Sequence, residues 1–156
     1  MKIQVPALLA LVLITLLALG SADVLFAQIG VGTWVRQSGS APGDITMEVA
    51  ACCNGGRRLT YRIKIGDATS VMLVESPFDG TEVPVLVDGK PSGETMAIKT
   101  VDNRHWTVVI KLDGKPFGTS KGELSADGKT INVENNITFA AAGQQAGVQK
   151  EVWVKK

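Results

Sequence analysis

Few residues of this chain could do chemistry, and the first to consider is His105, the only histidine among 156 residues. A Ser-His-Asp hydrolase would have to use it, because no other imidazole is present to act as the base. His105 stands between Arg104 and Trp106 at the exit of a predicted hairpin, where an exposed side chain is the ordinary interpretation. We therefore predict no catalytic residue and expect that the protein is not an enzyme.

Two adjacent cysteines, Cys52 and Cys53, offer thiol or metal chemistry. On a strand, neighbouring side chains point to opposite faces. A disulfide between the two is possible but would strain the intervening peptide, so we favour free thiols or an intermolecular bridge. Zinc needs three or four converging ligands, and copper(I) would need Met47 beside the two thiols. Methionine on a strand usually packs, so we predict no metal and no cofactor.

Most acidic residues in loops are explained by turn formation. Asn, Asp and Gly tolerate the positive φ that tight hairpins require, so these pairs predict turns. The predicted turns are Asn54-Gly55, Gly66-Asp67, Asp79-Gly80, Asp88-Gly89, Asp102-Asn103, Asp113-Gly114 and Asp127-Gly128.

The segments between the turns read as short strands. Residues 59–65 alternate, with Leu59, Tyr61 and Ile63 on one face, which is typical of a half-buried strand. Pro84 cannot donate to a ladder, so we expect an edge or a bulge there. Consecutive hairpins predict an all-β, antiparallel up-and-down meander of nine or ten strands that closes into a β-barrel, with a two-sheet sandwich as the alternative.

The N-terminus has the layout of a secretory signal peptide. Lys2 precedes an apolar run over residues 7–19, and small residues follow, so cleavage is expected after Ala22 or, by preference, Ala27. We predict a signal peptide over residues 1–27, a single domain over residues 28–156, and export to the periplasm or beyond. No transmembrane segment is expected after cleavage, because the apolar run is shorter than a spanning helix.

Charge is nearly balanced in the predicted mature chain. Without Lys2 and Asp23 it keeps 15 basic and 14 acidic residues, so its net charge is +1. This balance supplies no long-range field for a polyanion, and we predict no nucleic-acid partner.

The start of the first strand, Gly32-Thr33-Trp34, resembles the opening motif of lipocalins and the wider calycin group. Repeated Asp-Gly-Lys turns and a hydrophobic last strand ending in lysine extend the resemblance, to small exported lipocalin-like proteins of bacteria, over about residues 30–156. The resemblance implies a barrel whose closed end is plugged by Trp34. Most such proteins have no assigned activity, so the resemblance implies a fold more than a function.

The chain departs from these families in three ways. The other lipocalin signature segments are missing, and only Lys155 or Lys156, rather than an arginine, is near enough in sequence to cover Trp34. The avidin group shares Gly-Thr-Trp, but its pocket uses several further tryptophans, and here only Trp106 and Trp153 remain. Biotin binding is therefore not predicted.

The function predicted from these patterns is non-covalent binding of a small hydrophobic or amphipathic ligand. The candidate lining residues are Trp34, Tyr61, Met72, Met96 and Trp106. Packing is the default use of alternating apolar positions, so a filled barrel is expected slightly ahead of a cavity. The alternative function is an envelope interaction or inhibitor protein with a filled core, which adds an exposed strand at residues 70–76 or at Pro84 to a partner sheet.

Overall fold

The computed structural model describes residues 29–39, 42–141 and 144–156, and these form ten strands and one short 3₁₀ turn. The predicted signal peptide lies outside the described residues. The strands are β1 (Gly32–Ser38), β2 (Asp44–Cys52), β3 (Gly56–Ile65), β4 (Ala68–Ser76), β5 (Asp79–Val87), β6 (Lys90–Thr100), β7 (His105–Leu112), β8 (Lys115–Leu124), β9 (Thr130–Ile137) and β10 (Gly147–Lys155), with the 3₁₀ turn at Cys53–Gly55.

The ten strands form a closed antiparallel barrel in simple up-and-down order. Each strand pairs with its neighbours in sequence, and β1 pairs with β10, with Trp34 opposite Lys155, to complete the circle. The predicted barrel is confirmed, and the sandwich alternative is wrong. Closure gives the first and last strands a ladder partner and leaves neither as a free sheet edge.

Two of the predicted Asp-Gly turns have the backbone dihedral angles that their residue types favour. Asp88 and Gly89 have φ of 50° and 77°, and Asp113 and Gly114 have φ of 49° and 75°. Positive φ at both central residues is the type I′ requirement that the Asp-Gly pairs predicted.

The turn between β4 and β5 differs from the prediction. Asp79 and Gly80 lie inside β5, and the chain reverses at Pro77 and Phe78 instead. The Phe78 ring is buried, its φ is 62°, and its N–H donates to Ser76 Oγ at 3.1 Å. Two features therefore outweigh the local Asp-Gly preference. The Phe78 ring is buried, and Pro77 cannot continue the ladder.

The expected irregularity at Pro84 is confirmed. The register between β5 and β6 shifts between Pro84 and Leu86. On its other side β5 is joined to β4 by only two register pairs, Met72 with Val87 and Leu73 with Leu86. This stretch is the most loosely paired wall of the barrel.

Trp34 seals the end of the barrel at which β1 begins. Its side chain is fully buried, and its Nε1–H donates to the Gly30 carbonyl at 3.1 Å. Lys155 Nζ lies 5.7 Å from the centre of the indole, which places a cation over the ring face. A side chain on Gly32 would come within 3.0 Å of Lys155 Cε, so the glycine leaves room for the lysine stem.

The favoured states of the cysteines, free thiols or an intermolecular bridge, are wrong, because Cys52 and Cys53 are joined by a disulfide, the less favoured alternative. The alternation rule fails here since only Cys52 belongs to a strand. Cys53 begins the 3₁₀ turn with φ of 52°, in the left-handed region, and Asn54 follows with φ of 53°. That change of backbone direction removes the strand geometry that would point neighbouring side chains to opposite faces.

Among the described residues, no helix has the length and apolar character needed to cross a bilayer.

Candidate ligand-binding cavity

A cavity of about 150 Å³ lies inside the barrel, so the interior is not completely filled. Four of the predicted lining residues, Tyr61, Met72, Met96 and Trp106, lie on its wall, although they come from four different strands. Trp34 is not on the wall, because it packs at the sealed end below. The predicted set therefore divides into a cavity wall and an end plug.

Three aromatic side chains give the cavity much of its shape. The Tyr61 and Trp153 rings meet edge to face, with centres 5.9 Å apart and an interplanar angle of 71°. Trp106 lies directly opposite Gly122 in the β7–β8 ladder. A Cβ on Gly122 would stand only 2.0 Å from Trp106 Cε2, so the indole occupies the space that a side chain would need.

The remaining apolar wall combines methionines with branched aliphatic side chains. Unbranched methionine adapts its shape easily, so this wall can adjust around an occupant. These residues are Ile29, Met47, Leu59, Met72, Met96, Ile98, Val108, Ile110, Ile131 and Val133.

Besides Tyr61, three polar side chains belong to the wall, and we call Ser120, Asn135 and Gln144 the polar corner. Ser120 and Asn135 face each other across the β8–β9 ladder, and Ser120 Oγ donates to Asn135 Oδ1 at 2.5 Å. Gln144 comes from the connection between β9 and β10, where it forms a bridge with Ala141. The corner is therefore built from two fixed strand positions and one loop position.

No charged side chain belongs to the cavity wall formed by the described residues. Tyr61 is the wall residue with a titratable group, and burial, followed by the charge of Glu151, raises its pKa. Glu151 accepts a hydrogen bond from Trp153 Nε1 at 3.2 Å and is itself half-buried, and burial raises its pKa despite that bond and the Arg36 charge. The wall therefore presents neutral groups over the physiological pH range.

A second buried carboxyl, Glu94, lies off the cavity wall. It is only 9% exposed, its Oε1 atom has no hydrogen-bond partner, and burial raises its pKa. An ionised group in such a place costs stability rather than supplying it.

His105 is half-exposed at the sealed end and lies between two carboxylates. Its Nδ1 is 2.8 Å from Asp102 Oδ1, and its Nε2 is 3.6 Å from Glu123 Oε1. The pKa of Asp102 is lowered by hydrogen bonds from the Arg104 backbone and from His105. A triad would need a hydroxyl nucleophile where Glu123 stands.

Within the described ranges, no group of three or more His, Cys, Asp or Glu residues is arranged to hold a metal ion.

Sequence reasoning missed the polar corner and Trp153. Asn135 shares its inward face with Ile131, Val133 and Ile137, so a polar residue in an otherwise apolar alternation was the available signal. Ser120 stands between Gly118 and Gly122 and carried a weaker signal, because a glycine-rich strand shows no clear face.

Comparison of the sequence with models of known protein families gives no match, and comparison with curated protein sequences gives none.

Proposed function

We propose that this protein is an exported, lipocalin-like binding protein that holds one small hydrophobic or amphipathic molecule inside its barrel. The observation that carries the proposal is the cavity, whose wall is mainly apolar and includes the polar corner and Tyr61. Ligand sites in proteins typically combine a mainly apolar enclosure with a few polar groups that fix orientation.

The size of the cavity limits the ligand. A dry apolar cavity of about 150 Å³ holds a molecule the size of benzene, and this cavity has the same volume. The occupant is therefore a single-ring molecule or a short branched chain, well below drug size. Trp34 blocks the end where β1 begins, so the ligand enters from the opposite end, where the β9–β10 connection contributes Gln144.

The test is binding of toluene to the purified protein. Binding is detected by the change in tryptophan fluorescence and by the rise in thermal stability. Trp106 and Trp153 lie on the wall and should report occupancy directly. A ligand at 100 times its Kd should add about 2.7 kcal/mol to the free energy of unfolding.

Two adjacent valines offer a matched pair of variants. Val108 lines the cavity, whereas Val109 on the same strand points outward and is 47% exposed. Val108→Phe should fill the cavity and abolish binding, and Val109→Phe should leave binding unchanged. Equal toluene binding by both variants would show that the probe binds elsewhere.

The loose β4–β5 wall favours a second candidate, an envelope interaction or inhibitor protein acting through an exposed strand. With two register pairs joining these strands, β5 can offer backbone groups near Pro84 to an added strand of a partner protein. Native mass spectrometry of protein from its own host distinguishes the two candidates. A bound small mass supports ligand binding, and a stoichiometric protein partner supports strand addition.

A further inference from the structure

We infer that the ligand is an uncharged, phenol-like molecule, a single ring with one hydroxyl group that is held by Ser120 and Asn135. This inference rests on the proposed function, since it specifies the ligand of the same cavity. It is carried by the geometry of the polar corner, by the absence of charge from the described wall and by the shape of the apolar remainder.

The hydrogen bond between Ser120 and Asn135 determines which groups remain for a ligand. Ser120 Oγ gives its only hydrogen to Asn135 Oδ1, so the serine oxygen can still accept a hydrogen bond. Asn135 uses its oxygen in this bond, and the two hydrogens of its side-chain amide remain available as donors. The pair therefore presents one acceptor and one donor side by side on the wall.

A hydroxyl group matches this pair better than other simple polar groups. It can accept from the Asn135 amide and donate to Ser120 Oγ at the same time. A carbonyl could use only the donor, and an amine would need a second acceptor. Ser120 is 7% exposed, so a ligand that left this pair without partners would bury polar groups at a cost.

The rest of the wall disfavours a charged ligand. The cavity-lining residues include no cation to pair with a carboxylate and no anion to pair with an ammonium group. Transfer of an unpaired ion into an apolar enclosure is strongly unfavourable. Phenol meets this condition because the pKa of a phenolic hydroxyl is about 10, so the molecule is neutral at physiological pH.

The apolar wall suits an aromatic ring. The Trp106 indole and the Tyr61–Trp153 pair offer ring faces and edges, and Met72 and Met96 offer sulfur atoms that pack well against aromatic carbon.

The experiment compares phenol, toluene and benzoate as probes of the intact protein, with Kd measured by calorimetry. Toluene replaces the hydroxyl by a methyl group, and benzoate adds a negative charge. We expect phenol to bind more tightly than toluene and benzoate to bind at least about a hundredfold more weakly than phenol.

Asn135→Leu keeps the side-chain volume and removes the amide, and Asn136→Leu is its matched control, because Asn136 is exposed on the outer face. Asn135→Leu should weaken phenol binding relative to toluene binding, so that the ratio of the phenol Kd to the toluene Kd rises at least about tenfold. Asn136→Leu should keep the wild-type ratio. Side-chain amide proton signals of Asn135 in the unaltered protein should move further downfield with phenol than with toluene, because only phenol can accept a hydrogen bond from the amide.

Each other outcome overturns a defined part of the reasoning. Toluene binding without phenol binding, or a ratio that Asn135→Leu does not change, would overturn the hydroxyl assignment and leave the proposed function standing. Benzoate binding as tight as phenol binding would overturn the requirement for a neutral ligand. Failure of all three probes to bind would overturn the inference together with the proposed function.

Discussion

Gly122→Ala should displace Trp106, because these residues face each other across the β7–β8 ladder. The new Cβ would stand 2.0 Å from Cε2, 2.2 Å from Cζ2 and 2.3 Å from Nε1 of the indole. Carbon atoms make contact at about 3.5 Å, so the ring has to move by roughly 1.5 Å. The backbone itself tolerates alanine, since the φ of Gly122 is not in the left-handed region.

The energetic cost follows from how the ring can move. Overpacking a core by one methyl group costs about 1–3 kcal/mol, and the cavity beside Trp106 offers space that keeps the cost near 2 kcal/mol. For a domain of this size, that loss lowers the Tm by roughly 6–10 °C. The displaced indole enters the cavity, so toluene binding should fall together with stability.

Urea unfolding and tryptophan fluorescence measure the two effects, with Lys121→Ala, at the exposed neighbouring position, as the control. Trp106→Leu in the Gly122→Ala background should recover part of the loss, giving a combined cost below the sum of the single costs. Unchanged Tm, fluorescence and toluene binding in Gly122→Ala would refute the packing described for Trp106.

Three further predictions concern stability and redox state. Burial raises the pKa of Glu94, so its carboxyl favours folding below the unfolded-state pKa of about 4.3, and this contribution is lost as pH rises through the folded-state value. Glu94→Gln should therefore stabilise the protein at neutral pH and not below about pH 4, as measured by urea unfolding across pH. Lys155→Met should cost about 0.5–1 kcal/mol by removing the cation over Trp34, whereas Lys156→Met should cost nothing measurable. A thiol reagent applied to the unfolded, unreduced protein should find no reactive cysteine, since Cys52 and Cys53 are bonded to each other. Reactive thiols before reduction would contradict that bond.

The barrel could be predicted from sequence because its determinants are local. Asp88-Gly89 and Asp113-Gly114 adopt the positive φ values that their residue types favour, and the strands between such turns alternate. Once each strand is a hairpin partner of the next, closure is the arrangement that leaves the fewest open edges.

The errors arose where a residue leaves the local pattern. Cys53 has a turn conformation instead of a strand conformation, so alternation does not describe its relation to Cys52. Phe78 takes the turn position because its ring is buried by distant elements, which no local propensity records. Both outcomes depend on tertiary packing that a single sequence does not display.

Whether the barrel is filled or holds a cavity could not be decided from sequence, because alternation assigns a face to each residue and says nothing about how completely the faces fill the barrel. The wall between β7 and β9 carries small or polar groups at Ser120, Gly122 and Asn135, which face inward among large apolar residues. Gly122 leaves space for the Trp106 indole. Ser120 and Asn135 stand where larger apolar side chains would otherwise fill the centre of the barrel. A barrel under selection for stability alone would gain by exchanging Ser120 and Asn135 for aliphatic residues, since buried polar groups bring little net stabilisation. Under the proposed function, their place on the wall of the cavity is accounted for by a ligand that uses them.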